Sequence, residues 1–157
     1  MSFFSSPLAP PLAIGSPLPE KNVTLHDGTQ ASLVSLAGGP RTLFYFFPKA
    51  GTPVCTAQAC SFRDEAQDLA DLELTVLGIS GDSPAALARF REKRSLPFSL
   101  ISDEEGELAS AFGVSRLLGW PARKSFLFQG GHLVWKDTQP SPGKQVAKIR
   151  QAILMNP

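Results

Sequence analysis

The two cysteines of the chain lie five residues apart, where an apolar strand pattern gives way to a helix pattern. Cys55 falls near the predicted helix start and Cys60 falls inside the helix. Backbone N–H groups in a first helical turn have no intrahelical partner, and together with the helix dipole they favour thiolate over thiol. A thiolate in such a setting titrates below the free value of about 8.5 and is the nucleophilic form of cysteine. The placement of Cys55 therefore predicts thiol chemistry.

The residues around the two thiols predict the elements that position them. A predicted strand over 41–47 ends in a continuous apolar run, as buried strands do, and Pro48 ends it because proline has no N–H for a ladder. A turn with glycine and proline follows, and the apolar spacing beyond it predicts a helix over 55–70. Alanines flank Gln58 between the cysteines, and we expect this short stretch to pack weakly.

Strand and helix patterns alternate along the rest of the chain, which predicts an α/β domain with helices on both faces of a sheet. Residues 1–11 are rich in proline and are expected to form a poorly ordered lead, with one domain over 12–157. The other predicted elements are a hairpin around Asp27-Gly28, a strand over 74–79, a helix from Ser83-Pro84, a strand over 98–101, a short helix between Asp103 and Gly113, a hairpin over 123–128 and 132–135, and a last helix from Ser141-Pro142.

Composition excludes several classes of function. The chain has 157 residues, a hydrophobic fraction of 43% and a formal net charge of +1, so no large field attracts nucleic acid or an anionic membrane. Its N-terminus lacks the basic region of a secretory signal, and no apolar run approaches the length of a spanning helix, so the cytoplasm is the expected location. Two cysteines and two scattered histidines do not provide the ligands of a structural zinc site.

The chain resembles the peroxiredoxin family. The pattern Pro48-x-x-x-Thr52-x-x-Cys55 matches the Pro-x-x-x-Thr-x-x-Cys active-site motif of that family. Cys60, with Phe-Arg-Asp at 62–64 shortly after it, is similar to the bacterioferritin-comigratory or Q-type subfamily. The segment that begins at Arg123 resembles the one that supplies the family's active-site arginine. The segments 78–83, 96–103 and 112–114 follow in the family's order.

The resemblance implies a thioredoxin-like fold with a mixed central sheet and a thiol-dependent peroxidase that reduces hydrogen peroxide and organic hydroperoxides. In such an enzyme Cys55 attacks the peroxide and becomes a sulfenic acid, which then forms an intramolecular disulfide with Cys60. Thioredoxin or a similar dithiol reductant restores both thiols. Thr52 would donate a hydrogen bond to the incoming peroxide, Pro48 would shield the sulfur from water, and Arg123 would lie against Cys55. The resemblance implies a monomer, and nothing in the sequence requires a cofactor or metal.

Two other interpretations remain open at this point. A thioredoxin-type disulfide oxidoreductase would have a Cys-x-x-Cys pair, whereas four residues separate Cys55 from Cys60. A redox-sensing interaction module would react about once per oxidation cycle, whereas an enzyme turns over many times. The apolar loop 117–121, just before Arg123, is consistent with a substrate entrance, a protein contact or core packing.

Overall fold

The structure of the chain, a computed structural model, describes residues 10–157. Residues 1–9, most of the expected N-terminal lead 1–11, lie outside the described residues. The division of the chain into that lead and one domain over 12–157 therefore stays a prediction.

The secondary structure alternates between strands and helices. The strands are β1 (Asn22–Leu25), β2 (Gln30–Ser32), β3 (Arg41–Phe46), β4 (Leu74–Ser80), β5 (Ser99–Ser102), β6 (Arg116–Leu117), β7 (Trp120–Pro121), β8 (Lys124–Gln129) and β9 (His132–Asp137). The helices are α1 (Leu33–Leu36), α2 (Pro53–Asp64), α3 (Ala66–Asp71), α4 (Pro84–Lys93), α5 (Glu107–Phe112) and α6 (Gln145–Met155), with a 3₁₀ turn over Pro142–Lys144 before α6.

Seven strands form one mixed sheet in the order β2-β1-β5-β4-β3-β8-β9, and β6 and β7 form a separate small hairpin. Strands β3, β4 and β5 run parallel in the centre. The outer pairs β1–β2, β1–β5, β3–β8 and β8–β9 are antiparallel. The mixed central sheet confirms the predicted architecture.

Helices cover both faces of the sheet, and a hydrophobic core lies on each face. Successive side chains of a strand point to opposite faces, so β3 contributes to both cores. On one face Tyr45 of β3 lies in a core with Cys55, Phe62 and side chains of α3, α4 and α6. The Tyr45 and Phe62 rings, 4.8 Å apart between centroids, hold α2 against the sheet. On the other face Phe44 and Phe46 pack with Leu33 of α1 and with α5.

The helix predicted over 55–70 is wrong in its extent. It begins earlier, at Pro53, and is interrupted at Glu65, whose φ of −102° and ψ of 14° depart from helical values. Neither glycine nor proline stands at the break, so no local signal marks it. The carboxylates of Glu65 and Asp68 both accept hydrogen bonds from Arg150 of α6, at 3.5 and 3.2 Å, so tertiary contacts accompany the interruption.

Other predicted boundaries agree closely with the structure. The hairpin around Asp27-Gly28 forms between β1 and β2, and β3 ends one residue before the predicted limit of 47. The helix predicted between Asp103 and Gly113 is α5, whose N-cap residue is Gly106. The Asp103 carboxylate accepts hydrogen bonds from the N–H groups of Leu108 and Ala109 in its first turn, both at 2.9 Å.

Candidate active site

Sheet topology brings distant segments to one edge of the molecule. Strands β3 and β4 are parallel, so the loop after β3 and the turn after β4 leave the sheet at the same edge. Strand β8 runs antiparallel to β3 with Lys124 opposite Phe46, so the residue before β8, Arg123, reaches that edge as well. Ligand sites of α/β sheets form at the carboxyl ends of parallel strands, and this edge is therefore the candidate site.

The start of α2 leaves its own backbone N–H groups free of a side-chain cap. Thr52 is the N-cap residue and Pro53 the first helical residue, yet the Thr52 side chain makes no capping hydrogen bond. Its hydroxyl donates instead to the Lys49 carbonyl at 2.7 Å. Cys55 lies in this first turn with 2% of its surface exposed. Unpaired N–H groups at a helix start bind anions, so the turn is suited to a ligand with negative charge.

Arg123 fixes a positive charge against the Cys55 sulfur. Its Nη2 donates to Cys55 Sγ at 3.2 Å, and its Nη1 donates to the Gln58 side-chain oxygen at 2.6 Å. Gln58 is fully buried and lies three residues after Cys55, on the same face of α2. The Gln58 side chain therefore holds the Arg123 guanidinium in place while the guanidinium contacts the Cys55 sulfur. Because arginine is always charged, its charge and its donors face the sulfur at any physiological pH.

The other predicted site residues lie nearby with fewer contacts. Pro48 is half-buried and directly follows Phe47, whose N–H donates to the Ile79 carbonyl at 2.9 Å. Cys60 is half-buried, lies more than one turn after Cys55 in the continuous helix α2, and both cysteines are free thiols.

Sequence reasoning missed the place of Gln58 in the site. The expectation that Gln58 and Ala59 pack weakly is wrong, because both are fully buried. Their burial follows from the packing of α2 on the sheet core, in which Ala59 and Phe62 take part. A spacing of three residues from Cys55 was the signal that could have placed the Gln58 amide on the cysteine face.

Tyr45 forms an apolar wall below the helix. It is fully buried, and among residues 10–157 its hydroxyl has no hydrogen-bond partner. Burial raises the pKa of Tyr45 far above its usual range, and the neighbouring Cys55 adds to the shift. The phenol therefore stays neutral and is not suited to exchange protons with the thiol.

The small hairpin β6–β7 borders the same edge of the sheet. The interpretation of the loop 117–121 as part of the core is wrong for most of its length, because 94% of the surface of Leu118 and 77% of the surface of Leu117 are exposed. The turn nevertheless contacts the sheet edge at Gly81, where a Cβ would lie 2.5 Å from the Gly119 carbonyl oxygen. The exposed leucines of this hairpin, Leu117 and Leu118, therefore lie near the turn that follows β4.

Within the described part of the chain, no three His, Cys, Asp or Glu side chains are grouped so that they could hold a metal ion. None of the helices described in the structure combines the length and apolar character needed to cross a membrane.

The fold and the site together define a thioredoxin-like protein with a buried free thiol beside an arginine at a helix start. The chain matches the AhpC/TSA family over residues 14–136 and belongs to that family.

The chain is similar to named peroxiredoxins in sequence and in structure. It is 45% identical over 104 residues to Peroxiredoxin Bcp of Escherichia coli K12, an alignment that covers 66% of each protein, just under two thirds of the relative. It superposes on peroxidoxin BcpB of Mycobacterium tuberculosis with a TM-score of 0.85 and 29% identity, covering 90% of this chain and 96% of that one. It also superposes on the Xanthomonas campestris bacterioferritin comigratory protein, with a TM-score of 0.78, 25% identity and coverages of 87% and 91%. These similarities confirm the peroxiredoxin resemblance and the thioredoxin-like fold.

Proposed function

We propose that this chain is a thiol-dependent peroxidase that reduces hydrogen peroxide and organic hydroperoxides with two cysteines of one chain. The observation that carries the proposal is the 3.2 Å hydrogen bond from Arg123 to the Cys55 sulfur at the uncapped start of α2. Membership of the AhpC/TSA family supports a peroxide substrate and a thiol reductant. The X. campestris neighbour is described by its alkyl peroxide reduction activity, which supports organic hydroperoxides as substrates.

In the first step the Cys55 thiolate attacks one peroxide oxygen. An S–O bond forms while the O–O bond breaks, and the proton of the attacked oxygen passes to the second oxygen, which leaves as water or alcohol. The sulfenate left on Cys55 takes up a proton from solvent to become the sulfenic acid. Arg123 and the free N–H groups of α2 stabilise the negative charge that develops on the leaving oxygen. The expectation that Thr52 donates to the peroxide is wrong, because its hydroxyl already donates to the Lys49 carbonyl. We propose instead that its lone pairs accept the peroxide O–H. Pro48 shields the sulfur from water.

In the second step the Cys55 sulfenic acid condenses with the Cys60 thiol, which forms the S–S bond and releases water. A dithiol such as thioredoxin then exchanges twice with this disulfide, which restores both thiols and oxidises the reductant. All electrons come from thiols, so the proposal assigns no role to a metal or cofactor. The proposed location is the cytoplasm, where thiols are kept reduced, and the proposed working unit is a monomer.

The test of the proposed function is a coupled assay with thioredoxin, thioredoxin reductase and NADPH, run in parallel with hydrogen peroxide and cumene hydroperoxide. We expect NADPH consumption far beyond one equivalent of protein with either peroxide. Consumption that stops after about one equivalent would identify a sensor instead. Disulfide reduction in a peroxide-free insulin assay, without peroxide turnover, would identify a thioredoxin-type oxidoreductase.

We expect Arg123→Ala to slow the oxidation of Cys55 by about a hundredfold, the size of effect seen when one transition-state donor is removed. The substitution removes the donor to the sulfur and leaves the buried Gln58 oxygen without its partner. The measurement is a stopped-flow rate constant for peroxide reacting with the reduced protein.

Arg116→Ala is the matched control, because it removes an exposed arginine whose guanidinium lies over Gly106. Its rate constant should equal that of the wild type. Equal rates for Arg123→Ala and Arg116→Ala would show that Arg123 takes no part in the reaction.

A further inference from the structure

A buried carboxylate ties the loop before α2 to the sheet. The Asp82 side chain is 2% exposed, and its Oδ1 lies 2.8 Å from Lys49 Nζ. Its Oδ2 accepts hydrogen bonds from the Ala50 N–H at 2.8 Å and from the Ser80 hydroxyl at 2.7 Å. One carboxylate therefore contacts two consecutive residues of the loop that separates Pro48 from Thr52.

Asp82 is itself held by the ends of two central strands. Its N–H donates to the Ser80 hydroxyl at 3.2 Å, and its carbonyl accepts from the Ser102 hydroxyl at 2.6 Å. Ser80 ends β4 and Ser102 ends β5, and these strands pair with each other in the middle of the sheet. The carboxylate is thus anchored on the sheet, and the loop takes its position from Asp82.

The contact with Ala50 reaches the peroxide-binding hydroxyl through a single peptide group. The N–H of the Lys49–Ala50 peptide donates to Asp82, and the carbonyl of the same peptide accepts from the Thr52 hydroxyl at 2.7 Å and from the Thr52 N–H at 3.4 Å. A peptide group is planar, so fixing its N–H also fixes the direction of its carbonyl. Because the Thr52 hydroxyl donates to that carbonyl, the position of the carbonyl sets the direction of the hydroxyl's lone pairs.

We propose that Asp82 is a positioning residue for peroxide reduction, which acts on the substrate through the Lys49–Ala50 peptide and Thr52. The inference rests on the proposed function and extends it to a residue outside the active-site motif. It predicts that Asp82 matters for the reaction with peroxide, which requires an aligned Thr52 hydroxyl. Alkylation of the Cys55 thiolate requires no such alignment.

Asp82→Asn is the principal test, because the amide keeps the shape of the carboxylate but has one accepting oxygen and no charge, so it cannot accept both hydrogen bonds and also pair with Lys49. We expect the rate constant for hydrogen peroxide to fall by about tenfold or more, as loss of alignment at a reacting centre does. The rate of Cys55 alkylation by iodoacetamide should stay close to that of the wild type. A parallel fall in both rates, or no fall in either, would overturn the inference.

A double variant tests whether Asp82 acts through Thr52. If it does, Asp82→Asn should cause no further loss of peroxide reactivity in a Thr52→Val background, whereas independent roles would give additive losses. Additive losses would therefore contradict the proposed path.

Lys49→Met serves if Asp82→Asn does not fold, because it removes only the half-exposed partner of the ion pair. We expect a smaller fall in peroxide reactivity, again without a fall in alkylation. Lys93→Met, at an exposed lysine of α4 that lines the same cleft as Lys49, is the control and should change neither rate. If Lys49→Met and Lys93→Met react with peroxide at the same rate, that result counts against the inference. A wild-type protein that fails to react with peroxide would instead overturn the proposed function.

Discussion

Cys55→Ser is expected to lower peroxide consumption by about a thousandfold or more, as removal of a catalytic nucleophile does. A serine hydroxyl stays protonated at neutral pH and needs an adjacent base to become a nucleophile. The hydrogen bond given to the sulfur comes from Arg123, a permanent cation that cannot accept a proton. The coupled assay with hydrogen peroxide measures the loss directly.

Cys60→Ser is the matched control, because it removes the second thiol from the same helix and leaves the contact between Cys55 and Arg123. It should consume about one equivalent of peroxide, and mass spectrometry should find the sulfenic acid on Cys55. Turnover of Cys55→Ser near the wild-type rate would remove Cys55 from the mechanism.

The parts of the site that sequence reasoning could reach are those encoded in one short segment. Pro48, Thr52 and Cys55 lie within eight residues, and the strand end, turn and helix start around them have local signals. Arg123 lies 68 positions from Cys55, so only the resemblance to a family, and no local pattern, pointed to their contact. Asp82 was missed because its partner Ala50 lies 32 positions earlier and meets it only through the β3–β4 pairing.

The fold, like the site, was predictable from the sequence where an element has a local signal. Continuous apolar runs marked β3 and β4 within one residue, because buried parallel strands need such runs. The four-residue helix α1 was missed, since one helical turn capped by Ser32 has too few residues for a periodic pattern. The interruption at Glu65 escaped for another reason, because neither glycine nor proline marks it and the contacts of Glu65 and Asp68 there are with Arg150, far along the chain in α6.

The last prediction is that α2 must unwind locally between Cys55 and Cys60 in every catalytic cycle. In an intact helix, residues five apart are displaced by about 7.5 Å along the axis. A disulfide requires Cα atoms within roughly 4.4 to 6.8 Å, so the pair cannot close while the helix over Pro53–Asp64 persists.

Unwinding of α2 would disrupt buried packing and a hydrogen bond that the structure contains. Gln58 and Ala59 are fully buried between the cysteines, and Gln58 holds Arg123 through a 2.6 Å hydrogen bond. Moving these residues out of helical geometry withdraws them from the core and frees the guanidinium. The disulfide form should therefore lose both the packing of this turn and the arrangement of Arg123 that the dithiol form has.

Hydrogen exchange measured by mass spectrometry on the reduced and the oxidised protein tests this expectation. Amides of residues 55–64 should exchange about tenfold faster or more in the disulfide form, because local opening becomes easier there. Strand β4, in the centre of the sheet, provides the internal control and should be equally protected in both forms. Equal protection of 55–64, in a sample whose mass shows the Cys55–Cys60 bond, would mean that the disulfide closes without unwinding.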